Sequence, residues 1–79
     1  MKIQVRYFAG LRDRRGLGQE DVQVDAKTPL EIYRILNEQH DLRLPPEHVR
    51  FAIQDAYVDG DYRLKDGDEL VLIPPVAGG

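Results

Sequence analysis

Cysteine and serine are both missing from this 79-residue chain, and the single threonine, Thr28, stands where a helix cap is needed. A side-chain thiol or hydroxyl nucleophile of the usual kinds is thereby excluded, as are a disulfide framework and a cysteine-based metal site. Long hydrophobic runs are missing too. The longest, Leu70 to Ile73, is far too short to span a bilayer, and Met1-Lys2 leads into alternating residues rather than an apolar leader. The expectation is a cytoplasmic protein with no membrane partner. Excess positive charge is absent as well: the net charge is −3, which argues against a nucleic-acid partner. The one basic cluster, Arg12, Arg14 and Arg15, precedes Gly16-Leu17-Gly18 and reads as a solvated loop.

Chemical motifs are equally scarce. Gly16-Leu17-Gly18 lacks the third glycine, the following helix and the lysine that phosphate loops require. Asp55, Asp59, Gly60 and Asp66 are spaced like part of a calcium loop, but Tyr57 fills a ligand position and Asp66 replaces the bidentate glutamate. No metal site is expected. Asp66 and Asp68 flank an exposed turn, a poor setting for acid–base work, and His40 ends a helix whose negative pole accounts for it.

What is present is a pattern for one small domain. A body of this size buries only about 60% of the surface its unfolded chain exposes. Lys2 to Phe8 alternates with Ile3, Val5 and Tyr7 on one side, a half-buried strand. Residues 9–18 read as a loop, and Glu20 to Asp25 as a second strand with Val22 and Val24 inward. Thr28-Pro29-Leu30-Glu31 combines an N-cap, a proline at the first helical position and a capping glutamate, so a helix runs to about His40. Its apolar face holds Ile32, Ile35 and Leu36, flanked by Tyr33. Asp41 to His48 is a loop with a turn of helix at its end. Phe51 to Gln54 and Tyr57-Val58 form short strands, and Asp59-Gly60 and Asp66-Gly67 are turns around a core Leu64. Glu69 to Ile73 is the last strand.

Two hairpin strands, a helix and a closing segment are accommodated most economically when the last strand lies parallel beside the first. The predicted fold is therefore α+β, a ubiquitin-like β-grasp, with a mixed sheet of about four to five strands and one main helix on one face. A ferredoxin-like sandwich would need a second helix. If Ile3, Val5, Tyr7, Leu70 and Leu72 face the helix, parity turns Phe8, Val71 and Ile73 outward, joined by Tyr57. Such an apolar cluster reads as a docking surface.

The last strand runs into Pro74-Pro75-Val76-Ala77-Gly78-Gly79. Two prolines end the strand and continue as a stiff extended segment, and the glycines that follow resist ordering by their own fold. The expected division is a body of residues 1–73 and a tail of residues 74–79. A terminal Gly-Gly carboxylate has no Cβ beside it, so its carbonyl can enter a narrow channel in another protein. With no active site on the body, any chemistry belongs to that carboxylate.

Tyr7-Phe8-Ala9-Gly10-Leu11-Arg12-Asp13, Leu64-Lys65-Asp66-Gly67-Asp68-Glu69 and the Pro-Pro-Val-Ala-Gly-Gly end together resemble the small-subunit family of molybdopterin synthase (MoaD) along the whole chain. The double-glycine end and the Gly-Asp-Glu turn are shared with other sulfur carriers, including the thiazole-synthesis carrier ThiS. The resemblance implies that the Gly79 carboxylate is adenylated with ATP by a MoeB-like activating enzyme and becomes a thiocarboxylate, with no cofactor bound to the chain itself. It further implies insertion of Pro74, Pro75, Val76, Ala77, Gly78 and Gly79 into a MoaE-like large subunit that holds the active site. Sulfur then passes to cyclic pyranopterin monophosphate to form the dithiolene. The implied assembly is a heterotetramer, with one small subunit at each end of a large-subunit pair, and Phe8, Tyr57, Val71 and Ile73 suit its interface. The residues also leave open a carrier for thiazole or transfer-RNA thiolation, a ubiquitin-like protein modifier, and a plain interaction module.

Overall fold

Strict alternation makes Lys2–Tyr7 the first strand, β1, with Ile3, Val5 and Tyr7 buried. In the computed structural model, which describes residues 1–75, β2 (Gln19–Gln23) returns antiparallel with Val22 opposite Ile3 and Glu20 opposite Val5. The strand is shifted toward its N-terminus relative to the predicted Glu20 to Asp25. Backbone bonds between Met1 and Val24 in both directions, at 3.0 and 2.9 Å, prolong the pairing.

The segment expected to be a loop is a helix over much of its length. Residues Ala9–Arg15 form α1, which buries Leu11 and ends on Gly16 at φ 85°, whose N–H donates to the Arg12 carbonyl at 2.9 Å. That left-handed stop is one that glycine adopts without a Cβ penalty. Arg12, Arg14 and Arg15 fill its last turn, where cations complement the helix dipole. The arginine cluster is thus the end of a helix rather than part of a loop.

The long helix, α2 (Pro29–His40), begins as predicted at Thr28, whose hydroxyl oxygen accepts from the Glu31 N–H at 3.3 Å. The Glu31 carboxylate accepts from the Thr28 hydroxyl itself at 2.9 Å, so the two side chains close on each other. Ile32, Tyr33 and Leu36 are the buried centre of its face. Ile35 is only half-buried, because the stripe is rotated toward Tyr33, whose hydroxyl donates to the Leu44 carbonyl. Asp41 closes the helix at φ 52° with its N–H on the Asn37 carbonyl, and the connection continues through a 3-10 turn at Pro46–His48. This connection is a structural plug: Leu42 is wholly buried and Val49 nearly so.

The remaining strands are β3 (Arg50–Ile53), β4 (Ala56–Val58) and β5 (Glu69–Ile73). The sheet has five strands in the order β2-β1-β5-β3-β4, with β5 parallel to β1 and antiparallel to β3. Leu70 and Leu72 lie opposite Val5 and Tyr7 and join the core under α2. This is the β-grasp arrangement the element order predicts, with a second, short helix added.

The β3–β4 turn differs from expectation. Gln54 ends the predicted strand but instead forms a two-residue loop with Asp55, at φ 51° and 66°. A type I′ hairpin needs positive φ at both positions, which Asn-Gly supplies with less strain than Gln-Asp. Replacing Gln54-Asp55 by Asn-Gly is expected to raise stability by about 1 kcal/mol. The check is a higher urea midpoint at unchanged slope; a lower midpoint would contradict this turn geometry.

Candidate functional site: the outer sheet face and the root of the tail

Parallel pairing of β1 with β5 brings the start of α1 and the end of the last strand to one pole. The Phe8 N–H donates to the Leu72 carbonyl at 3.2 Å, which sets Phe8 beside the exit of the chain. On the face turned away from α2, register aligns Arg6, Val71, Ala52 and Tyr57 in one row across four strands. Ile73 lies opposite Arg50 in the next row.

Among the described residues Phe8 and Tyr57 are the exposed large hydrophobic side chains, at 44% and 67% of full exposure, and Val71 and Ile73 are half-buried on the same face. Together with Arg6 and Ala52 they line a shallow concavity of about 420 Å³. The outward parity read from the sequence is what the structure shows. Ala52 was missed, although the inward placement of Phe51 and Ile53 already turns it outward.

Two cations stand over the aromatic rings. The Arg6 guanidinium is 5.8 Å from the centre of Phe8, and that of Arg50 is 5.6 Å from Tyr57. At that range each cation is weakly attracted to the ring face. Arg6 also reaches Glu69 at 3.7 Å, a half-exposed pair worth little to stability.

A second groove of about 540 Å³ lies around the tail root, walled by Phe8, Leu11, Arg14, Leu44, Ile73, Pro74 and Pro75. Phe8 therefore separates the sheet face from this groove. Pro74 is half-buried and Pro75 exposed, and neither belongs to a strand. Of the expected tail residues, Val76, Ala77, Gly78 and Gly79 lie outside the described residues. Leu44 and Leu11 gave no sequence signal, since each becomes part of the groove only through α1 and the plug after α2.

The pole is held together by a polar cluster. Arg15 donates twice to the Glu20 carboxylate, both at 2.8 Å, and the Tyr7 hydroxyl donates to the same group. Arg14 donates to the Leu42 carbonyl at 2.9 Å, tying α1 to the plug. The Arg15 bonds hold the Glu20 carboxyl below its ordinary value of 4.5, while burial and then Glu20 push the Tyr7 phenol up. A depressed carboxyl pKa contributes stability that is full above the ordinary value and lost as pH falls through the folded one. Glu20→Gln is therefore expected to flatten the acid side of the stability profile below pH 4.5. An unchanged acid slope in urea titrations across that range would contradict the assignment.

A mixed five-stranded sheet clasping one long helix, with an apolar outer face beside an emerging Pro-Pro segment, defines a ubiquitin-like β-grasp protein. A solved structure of SAMP1 from Haloferax volcanii shares the fold at a TM-score of 0.80, with 24% identity and 100% of both chains covered. The chain belongs to the ThiS family, whose sequence profile matches residues 5–79. It is 32% identical over 80 residues to the molybdopterin synthase sulfur carrier subunit of Escherichia coli K12, covering 98% of this chain and 99% of that one. It is also similar to a chain in a solved protein–protein complex of subunits 1 and 2 of molybdopterin-converting factor from Helicobacter pylori 26695. There the TM-score is 0.68 and the identity 30%, over 100% of both chains.

Proposed function

We propose that this protein is the sulfur carrier of a molybdopterin synthase. The observation that carries the reading is chain-long similarity to subunits of that name, 32% identical to that of Escherichia coli K12 and covering 98% of this chain. The geometry agrees with it. The body has an apolar face and a tail root at one pole, and no side-chain nucleophile of the cysteine or serine kind.

The chemistry proceeds at Gly79, taken as the last residue. A carboxylate is a poor electrophile, so a MoeB-like enzyme first transfers AMP from ATP to it, releasing pyrophosphate. A sulfide-level nucleophile such as hydrosulfide attacks the carbonyl carbon, a C–S bond forms, the bond to the phosphate oxygen breaks so that AMP leaves with the electron pair, and the sulfur gives up its proton to water. The resulting thiocarboxylate is a nucleophilic sulfur borne on the main chain. Pro74 and Pro75 start the tail as a stiff rod, and Val76, Ala77, Gly78 and Gly79 thread it into the large subunit, where sulfur passes to cyclic pyranopterin monophosphate. Phe8, Tyr57, Val71 and Ile73 dock the body against a MoaE-like partner, two copies flanking a pair of large subunits in a heterotetramer. The setting is cytoplasmic.

Intact mass after coexpression with the activating enzyme tests the first half: replacing oxygen by sulfur adds about 16 mass units. The second half is tested by giving the charged protein to a molybdopterin synthase large subunit and following dithiolene product. Charging without product would assign the carrier to thiazole or transfer-RNA thiolation, and failure to charge would leave a plain interaction module.

A further inference from the structure

The three lysines of the chain, Lys2, Lys27 and Lys65, lie together at one end of the molecule. The Gly67 N–H donates to the Lys2 carbonyl at 2.7 Å, and the Leu64 N–H to the Lys27 carbonyl at 2.9 Å, which gathers the three chain segments. The α-amino group of Met1, bonded to the Val24 carbonyl at 3.0 Å, joins them. This is the pole opposite the tail, because β1 starts at Lys2 and runs parallel to β5 toward Phe8 and Ile73. Among the described residues the cations placed at the tail pole are arginines: Arg14 walls the groove with Pro74 and Pro75, Arg12 shares a neighbouring concavity with Phe8, and Arg50 is opposite Ile73.

Resting on the carrier reading above, we infer that this segregation protects the activated Gly79 carbonyl from the chain's own amines and reserves it for an external sulfur nucleophile. An acyl-adenylate reacts readily with a neutral amine. The lysine nitrogen attacks the carbonyl carbon, a C–N bond forms, AMP leaves with the electron pair, and a proton passes from nitrogen to water. The product is an amide no sulfur donor can reopen. Arginine supplies positive charge without this hazard, since its guanidinium stays protonated at any working pH. Acylation of His40 or His48 would be reversed by water, so the amines are the groups that matter.

Distance enforces the separation. Lys2 is six residues along the strand from Phe8, about 20 Å at the rise of a β-strand. Pro75 lies beyond Ile73 against α1 and is further still. Residues 76–79 span at most about 14 Å, and an extended lysine stem adds about 6 Å. That sum falls short of a path that must also pass around the body.

The test is to incubate the full chain with an activating enzyme of this family and Mg-ATP, without a sulfur source, at about pH 8.5, where a fraction of lysine is neutral. Wild-type protein is compared with Arg14→Lys and Arg12→Lys. Pyrophosphate exchange reports the adenylate, and intact mass with peptide mapping reports amide. Arg14 also bonds the Leu42 carbonyl, so the exposed Arg12 provides a variant free of that contact. The expected result is a monomer lighter by one water in the variants, joined from Gly79 to the new lysine, at least about tenfold above wild type, since proximity sets the effective amine concentration. Comparable self-acylation of wild type at Lys2, Lys27 or Lys65 would overturn the inference. So would variants that form adenylate and no amide. Wild-type protein that forms no adenylate at all would instead remove the carrier reading, and this inference with it.

Discussion

A chain ending at Ala77 should fold like the full one and transfer no sulfur. Among the described residues every core residue lies between Ile3 and Leu72, so the truncation removes none of them. Their loss shortens the tail by about 7 Å and places the carboxylate on a residue with a Cβ. A misplacement of about 1 Å can cost about a hundredfold in rate, so a shortfall of this size takes product to background. Adding residues after Gly79 should be as damaging, because the carboxylate is then an amide bond. The measurements are thiocarboxylate by intact mass, dithiolene product with the large subunit, and melting temperature. Product at the wild-type rate from the shortened chain would end the reading in which the main-chain carbonyl carries the sulfur.

Phe8→Asp and Ile73→Asp should each weaken binding to the large subunit by about a hundredfold or more while shifting the melting temperature by only a few degrees. Phe8 is 44% exposed in the free protein and Ile73 half-buried on the outer face, so neither substitution places a carboxylate in the core. In a complex that covers this face, a new carboxylate must give up its hydration without a partner. That costs on the order of 3 kcal/mol, or more than two decades in affinity. Tyr57→Asp should weaken binding less, because Tyr57 is 67% exposed and lies on the edge strand β4. Calorimetric titration of each variant against the large subunit checks the order. Unchanged affinity for both Phe8 and Ile73 variants would move the interface off this face.

The parts of this fold written in alternation could be read directly. Ile3, Val5 and Tyr7 gave β1, and the same parity on β5 gave both the core leucines and the outward Val71 and Ile73. Thr28, Pro29 and Glu31 gave the start of α2 because capping is local chemistry. Helix α1 could not be found in this way, since Leu11 is its single buried side chain and one position makes no periodicity. Its existence depends on the left-handed Gly16, on the nearby Glu20 and on a contact with Leu42, which is distant in sequence. Leu42 and Leu44 lie between charged residues and prolines, and their burial follows from how the connection folds back under Tyr33. The site divides along the same line. Its outer face is a matter of strand parity, whereas the groove at the tail root is assembled by loops.

The strand that leads into the tail is also the middle of the sheet, flanked by β1 on one side and β3 on the other. During synthesis this strand follows the other four, so the β1–β2 and β3–β4 pairs can be joined only once Glu69–Ile73 has emerged. Domains dominated by such distant pairings complete folding only when the final partner arrives. A prematurely ended product therefore never acquires a finished docking face.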